Sequence, residues 1–158
     1  MADKRDLRRA LGRFATGVTL VTAADETGPL GLVVNSFTSV SLDPPLVAIF
    51  PSRTSFTWSR MRRCERLGIN VLATDHADYV RAEAQPGADR FGTLDFELCR
   101  SGVPRVRDAL AFLECEPVSE QTAGDHWIVV ARVNELISGR GGRPLAFWDG
   151  RFGTFAAA

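Results

Sequence analysis

The fold class of this chain is decided by two segments, ALAFLECEPVSEQT (109–122) and DHWIVVARVNELIS (125–138), and by the dipeptide AG (123–124) that joins them. Both segments are rich in the β-branched and alternating apolar residues that are typical of strands, and the dipeptide can form a tight turn. The pattern therefore predicts a long antiparallel hairpin. Because successive side chains of a strand point to opposite faces, His126 and Trp127 would lie on opposite faces of the sheet.

Shorter segments predict further strands on both sides of this hairpin. These strands are 18–24, 30–36, 46–50, 68–72 and a final strand or hairpin at 145–155. The turn sequence DETG (25–28) joins the first two of them as a second hairpin. Parallel strand-helix-strand alternation is absent from the pattern, so we expect a mainly β fold, an antiparallel β-barrel with peripheral helices. The length of 158 residues predicts a single domain, 1–158.

Three segments carry helical patterns. Apolar residues recur at helical spacing between positions 7 and 14, where Asp3 or Asp6 can cap the helix and Gly17 is its predicted end. The other predicted helices are 56–66 and 75–84. Residues 88–107 show the weakest periodicity and are expected to be mostly loop.

The composition excludes several classes of protein. The chain is 45% hydrophobic and 24% charged, which is typical of a packed globular protein and not of a disordered one. Its nineteen basic residues are balanced by nineteen acidic ones, whereas a nucleic-acid-binding protein normally has a basic surplus. We therefore expect no nucleic acid among its partners.

Membrane insertion, disulfides and metal binding are not expected either. No apolar run approaches the roughly 18 to 20 residues of a membrane helix, and the N-terminal residues lack the apolar core of a secretory signal, so a cytoplasmic location is predicted. The three cysteines are widely spaced, and two histidines without ligand spacing do not predict a metal site. We expect the cysteines to be reduced and buried.

Two clusters of hydroxyl side chains flank the predicted strand 46–50, namely NSFTSVS (35–41) and SRTSFT (52–57). Hydroxyl groups, backbone N–H groups and the forked donor of an arginine bind phosphate monoesters, and Arg53 lies in the second cluster, at the start of a predicted helix. The alternative is that these side chains cap a helix and form turns. The residues by themselves leave both interpretations open.

The common catalytic motifs are absent. The chain has no G-x-S-x-G, no phosphate-binding G-x-x-x-x-G-K-[ST] and no H-E-x-x-H. The loop GRGGRP (139–144) begins like a dinucleotide-binding motif but ends in proline and precedes a strand, which is typical of a turn. His126 is either a hydrogen-bonded structural residue or a polar group that lines a cleft.

Six short motifs in order along the chain resemble the flavin reductase-like family. They are FATGVT (14–19), NSFTSVSLDPPLV (35–47), NVLA (70–73), DRF (89–91), GDH (124–126) and the terminal PL (144–145) with GRF (150–152). The resemblance covers nearly the whole chain. This sequence departs from the family pattern at Val33, where threonine is frequent in the family, and at His76, where glutamine is frequent.

The resemblance implies an FMN-binding split β-barrel and an enzyme, an NAD(P)H:flavin oxidoreductase. It would be a homodimer that binds FMN or FAD near the subunit interface and reduces it with NADH or NADPH. Members of the family commonly supply reduced flavin to a separate monooxygenase. Two alternatives remain: a flavoprotein that holds FMN tightly and acts on another substrate, and a non-enzymatic barrel that binds flavin or haem.

The resemblance also implies the roles of individual residues. The isoalloxazine ring would be bordered by Val33, Val34, Asn35 and Ser36. The ribityl chain and the approach to the phosphate would be lined by Ser39, Val40 and Ser41. The phosphate would be held by Ser52, Arg53, Ser55 and Thr57. Phe91 would lie near the flavin and His126 near the nicotinamide, where it would orient that ring or help a proton reach the reduced flavin.

Overall fold

Antiparallel strands make up most of this computed structural model, which describes residues 3–83 and 91–157. In chain order the strands are β1 (Thr16–Gly17), β2 (Thr19–Asp25), β3 (Gly28–Val34), β4 (Thr38–Leu42), β5 (Pro45–Ile49), β6 (Leu67–Val71), β7 (Phe96–Leu98), β8 (Pro104–Val106), β9 (Ala111–Ala123), β10 (His126–Ser138), β11 (Leu145–Trp148) and β12 (Arg151–Thr154). The helices are α1 (Lys4–Leu11), α2 (Phe56–Met61) and α3 (Ala77–Glu83), and a 3-10 turn (Thr74–His76) precedes α3.

The main sheet has seven strands in the order β3-β2-β6-β9-β10-β5-β4, and all neighbouring pairs are antiparallel. The predicted long hairpin lies at its centre. β9 and β10 pair along their whole length, from His126 opposite Ala123 to Ser138 opposite Ala111. In the turn, Gly124 has a φ of 61°, a conformation that glycine adopts without strain. The structure confirms the hairpin and the mainly β, antiparallel fold with peripheral helices.

The main sheet buries an inner core on one face. Side chains from six of its strands and from α2 meet there: Val21, Ala23, Leu30, Val47, Ile49, Trp58, Met61, Leu67, Ile69, Cys115, Val129 and Ala131. Trp58 and Met61 come from α2 and are almost completely buried. Since burial of one large apolar side chain contributes about 1.5–3 kcal/mol, these two hold α2 firmly against the sheet.

A second core lies between the main sheet, α3 and the small sheet β1-β11-β12. Its buried members are Val18, Leu20, Leu72, Tyr79, Val80, Leu94, Val106, Ala109 and Leu145. β2 contributes to both cores, because its alternate side chains point to opposite faces. Tyr79 and Val80 of α3 and Leu94 are thereby packed in the same core.

A hydrogen-bonded polar cluster lies within this packing. Asn70 is completely buried; its Nδ2 donates to the Leu20 carbonyl at 3.0 Å and to Thr22 Oγ1 at 3.2 Å, and its Oδ1 accepts from the Val106 N–H at 2.8 Å. Thr22 Oγ1 in turn donates to the Pro104 carbonyl at 2.6 Å. Two side chains of the main sheet therefore hold β8 in place.

Residues 91–107 are mostly loop, as predicted, but they also contain a short hairpin that the sequence did not predict. In this hairpin β7 pairs with β8, with Phe96 opposite Val106. Each strand has only three residues, which is too short to show a period of two, and the pairing is stabilised by the buried Asn70. The part of the prediction that concerns 88–90 lies outside the described residues.

The predicted helix ends also differ from the structure. α1 is capped by Asp3 as predicted, but it ends at Leu11 with Gly12 as its C-cap, and Gly17 belongs to β1. α2 ends at Met61, five residues before the predicted end at 66. The polar segment after β3, for which no strand was predicted, forms the edge strand β4.

No helix in the described parts of the chain has the length and apolar character needed to span a bilayer. Within the same residues no cluster of three or more His, Cys, Asp and Glu side chains is arranged to hold a metal ion. The three cysteines are free, and burial raises the pKa of the Cys115 thiol to about 12. Cys115 therefore stays protonated and packs as a small apolar residue.

Candidate functional site

A cleft of about 400 Å³ opens where β3 and β5 end and β10 begins. Both hydroxyl clusters predicted from the sequence contribute to it. Its lining residues are Leu32, Val33, Val34, Asn35, Ser36, Phe50, Pro51, Ser52, Ser55 and His126. Apolar and polar residues contribute about equally, and Ser52, Ser55 and His126 lie at the end formed by the loop after β5 and the start of β10.

That loop is attached to the start of β10. Ser52 and His126 face each other in an isolated β-bridge, and both line the cleft. The backbone N–H groups of Trp127 and Arg53 donate across the same junction, at 2.9 Å and 3.0 Å. These contacts fix the position of His126 relative to the loop after β5.

The serine and threonine hydroxyls at this end hold the loop in shape. Ser36 Oγ accepts from the Phe50 N–H at 3.1 Å, which ties the first hydroxyl cluster to the residue that follows β5. Ser52 Oγ lies 3.0 Å from Thr54 Oγ1 and accepts from the Thr54 N–H at 3.2 Å. Ser55 Oγ caps α2 by accepting from the backbone N–H three residues later, at 3.1 Å. The capping and turn-forming interpretation is thus confirmed, and it leaves room for a ligand role of the same hydroxyls.

Arg53 brings a positive charge to the rim of the cleft. Its Nη1 donates to the Gly124 carbonyl at 3.2 Å, and its guanidinium carbon lies 5.7 Å from the centre of the Trp127 ring. The side chain is exposed and forms no ion pair with a carboxylate of residues 3–83 or 91–157. Its charge therefore remains available to an anionic ligand.

His126 is paired with its neighbour in sequence. Its Nδ1 lies 2.7 Å from Asp125 Oδ1, with the imidazole half-exposed and the carboxylate exposed. The hydrogen bond from His126 holds the pKa of the Asp125 carboxyl below its ordinary value. Because a carboxylate can only accept, this contact places a proton on Nδ1 and leaves Nε2 for other partners.

Comparison with known proteins assigns the chain to a family. A model of the family described as flavin reductase like domain matches residues 11–156. The chain belongs to the flavin reductase-like family. An FMN reductase (NADH) of Agrobacterium fabrum is 42% identical to this flavin reductase over 154 residues, which cover 98% of the chain and 87% of the relative. The predicted family and enzyme class are confirmed.

Two solved structures are similar over almost the whole of this flavin reductase. Nitrilotriacetate monooxygenase component B from Mycobacterium thermoresistibile superposes with a TM-score of 0.93 at 32% identity, covering 98% of this chain and 87% of that one. The NADH:FAD oxidoreductase SgcE6 of Streptomyces globisporus, in complex with NAD and FAD fragments, gives 0.90 at 36% identity, with 99% and 96% covered. These similarities confirm the split β-barrel.

The cleft of the flavin reductase brings seven of the predicted site residues together. They are Val33, Val34, Asn35, Ser36, Ser52, Ser55 and His126. Sequence reasoning missed three lining residues: Leu32, Phe50 and Pro51. Pro51 directly follows the predicted strand 46–50 and precedes the second hydroxyl cluster, and this position is the one signal that could have revealed it.

The other predicted residues do not line the cleft. Arg53 stands at its rim, as described above. Ser39, Val40 and Ser41 belong to the edge strand β4, and Thr57 lies in α2. Phe91 packs against the second core and makes an edge-to-face contact with Phe96, with ring centres 5.0 Å apart.

The chemistry of the lining fits a flavin. Leu32, Val33, Val34 and Phe50 offer apolar surface for a flat ring, and Asn35 and Ser36 add polar groups at its border. The hydroxyls next to Arg53 suit an anionic tail. Ligand clefts typically measure about 300–1,000 Å³, and the volume of about 400 Å³ lies within that range.

Proposed function

We propose that this flavin reductase transfers a hydride from NADH or NADPH to FMN or FAD in the cleft between β3, the loop after β5 and β10. The observation that carries the proposal is the pairing of an apolar wall with a polar end beside an arginine that has no carboxylate partner among the described residues. The relatives support it, since one is named FMN reductase (NADH) and another NADH:FAD oxidoreductase.

In this proposal Val33, Val34, Asn35 and Ser36 border the flavin ring, and Ser52, Arg53 and Ser55 hold its phosphate. The first group lies at the end of β3 and the second in the loop after β5, on either side of one cleft. The family resemblance adds five further flavin contacts to the proposal: Ser39, Val40, Ser41, Thr57 and Phe91.

The chain contributes binding and orientation to the reaction. When bound, the nicotinamide and the flavin supply the redox chemistry of hydride transfer, which requires no general base from the protein. The apolar wall excludes water from one side of the ring site, and the loop after β5 fixes the phosphate end. Asp125 keeps a proton on Nδ1 of His126, so that Nε2 can orient the nicotinamide.

We further propose that the protein is a homodimer. The first helix supports this, since α1 has no buried residue, and Leu7, Leu11 and Phe14 expose 49%, 63% and 77% of their surface. Trp148, also exposed, is tied to the same end of α1 because its Nε1 donates to the Arg13 carbonyl at 3.1 Å. A second copy would cover this apolar surface; light scattering on the purified protein measures the expected mass of two chains.

The proposed partner is a separate monooxygenase that receives reduced flavin. Its support is the neighbour described as component B of a nitrilotriacetate monooxygenase, since a component of that kind works with a second protein. We place the reaction in the cytoplasm, where the pools of NADH and NADPH are found.

Steady-state kinetics test the proposed function. Oxidation of NADH and of NADPH is followed at 340 nm with FMN, FAD and riboflavin added in parallel. We expect a colourless preparation that consumes the nicotinamide only when flavin is present. A yellow preparation with stoichiometric flavin would instead favour a flavoprotein that acts on another substrate. If neither NADH nor NADPH is oxidised with any of the flavins, both enzyme hypotheses are refuted.

A further inference from the structure

Two arginine side chains lie near the indole ring of Trp127. The guanidinium carbon of Arg62 lies 4.3 Å from the ring centre, and that of Arg53 lies 5.7 Å away. Both distances are within the roughly 6 Å at which a cation is attracted to an aromatic face. Arg53 precedes α2 and Arg62 follows it, so the indole contacts both ends of this helix.

The two arginines differ in what else they bind. Arg62 forms an ion pair with Glu120 of β9, which neutralises its charge. Arg53 has no carboxylate partner within the described ranges and donates one N–H to the Gly124 carbonyl. Of the two guanidinium groups at this ring, Arg53 is therefore the one whose charge an anion can use.

The ring limits the freedom of the Arg53 side chain. An exposed arginine has many rotamers and loses that freedom when it binds a ligand. Here the Gly124 carbonyl holds one side of the guanidinium and the Trp127 face holds another, while the Arg53 backbone is bonded to the hairpin turn. Trp127 itself is held because it packs against the inner core.

We propose that Trp127 is a positioning residue that acts through Arg53 and makes this reductase prefer phosphorylated flavins to riboflavin. The inference rests on the proposed function, with Arg53 as the phosphate ligand. Trp127 needs no contact with the flavin for this effect. Its loss would let Arg53 move among other rotamers, which weakens binding of FMN and leaves riboflavin, which lacks the phosphate, unaffected.

The test compares FMN with riboflavin in the full-length protein. Dissociation constants are measured by quenching of flavin fluorescence, and KM and kcat by oxidation of NADH. Trp127→Leu removes the aromatic face, and we expect the Kd and KM for FMN to rise about two- to fivefold, the value of an exposed cation–π contact, with those for riboflavin unchanged. Trp127→Phe keeps a weaker face and should give a smaller rise; it also serves if the leucine variant does not fold.

Leu136→Ala is the control. Leu136 is exposed on β10, the strand of Trp127, but it lies near the end of that strand and away from the cleft. This variant should leave the ratio of the FMN to the riboflavin constant unchanged. An equal change for both flavins in Trp127→Leu, or no change for either, would overturn the positioning role.

Arg53→Ala separates the inference from the proposed function. If Trp127 acts through Arg53, Arg53→Ala abolishes the preference for FMN, and adding Trp127→Leu to it causes no further loss. A further loss of FMN affinity in the double variant would overturn the inference, but it would not contradict the proposed function. A wild-type protein that binds neither flavin would overturn the proposed function and the inference with it.

Discussion

Replacement of the buried Asn70 by alanine should destabilise the protein without touching the cleft. The change removes two hydrogen bonds donated by Nδ2, to Leu20 and Thr22, and the one that Oδ1 accepts from Val106. Each such bond contributes about 1 kcal/mol net, and a buried N–H without a partner costs about 1–3 kcal/mol more. The expected loss in the free energy of unfolding is therefore about 4–6 kcal/mol, a large share of the 5–15 kcal/mol that is typical of a domain.

Urea unfolding followed by circular dichroism measures this loss. Asn134→Ala is the control, since Asn134 is exposed on β10 and its replacement should change stability by less than about 0.5 kcal/mol. Hydrogen exchange adds a local readout: the amide of Val106 should lose protection first, because Asn70 holds β8. A loss below about 1 kcal/mol in Asn70→Ala would refute the reasoning that this cluster anchors the β7-β8 hairpin.

Two further predictions concern a carboxylate and the candidate catalytic histidine. Hydrogen bonds from Thr27 and then from Arg60 lower the pKa of Asp25 from 3.8 to about 2, so this carboxylate stabilises the fold above pH 4, and the stabilisation is lost as the pH falls to 2. The difference in Tm between wild type and Asp25→Asn should therefore be larger at pH 6 than at pH 2 and should vanish only below pH 2; a difference that stays constant contradicts the assignment. His126→Ala should lower turnover with NADH more than it lowers flavin affinity, and unchanged turnover would remove His126 from the mechanism.

The sequence predicted the strands well wherever they are long or alternate clearly. The hairpin of β9 and β10 is the best example, because thirteen residues on each side give an unambiguous period and Gly124 marks the turn. β7 and β8 could not be found in this way, since three residues carry no period and their pairing depends on Asn70, far away in the sequence.

The candidate site was predicted to a similar extent. The clusters that contain Ser36 and Ser52 stood out by composition, and the structure joins them in one cleft. Phe50 and Pro51 were missed because they line the cleft only through the position of the end of β5 relative to β3 and β10. A single sequence does not show how these three strands are arranged. The position of Arg53 on the face of Trp127 is likewise a tertiary contact between residues more than seventy positions apart.

The turn between β9 and β10 restricts how this protein can be re-engineered. Exposed hairpin tips usually accept inserted tags or new chain ends. Here both turn carbonyls, of Gly124 and Asp125, accept hydrogen bonds from Arg53, and the next residue, His126, lines the cleft. One added residue that shifted the register of β10 would exchange the faces of His126 and Trp127. A tag at this tip should therefore weaken flavin binding before it lowers stability, although residues 121–126 are all exposed.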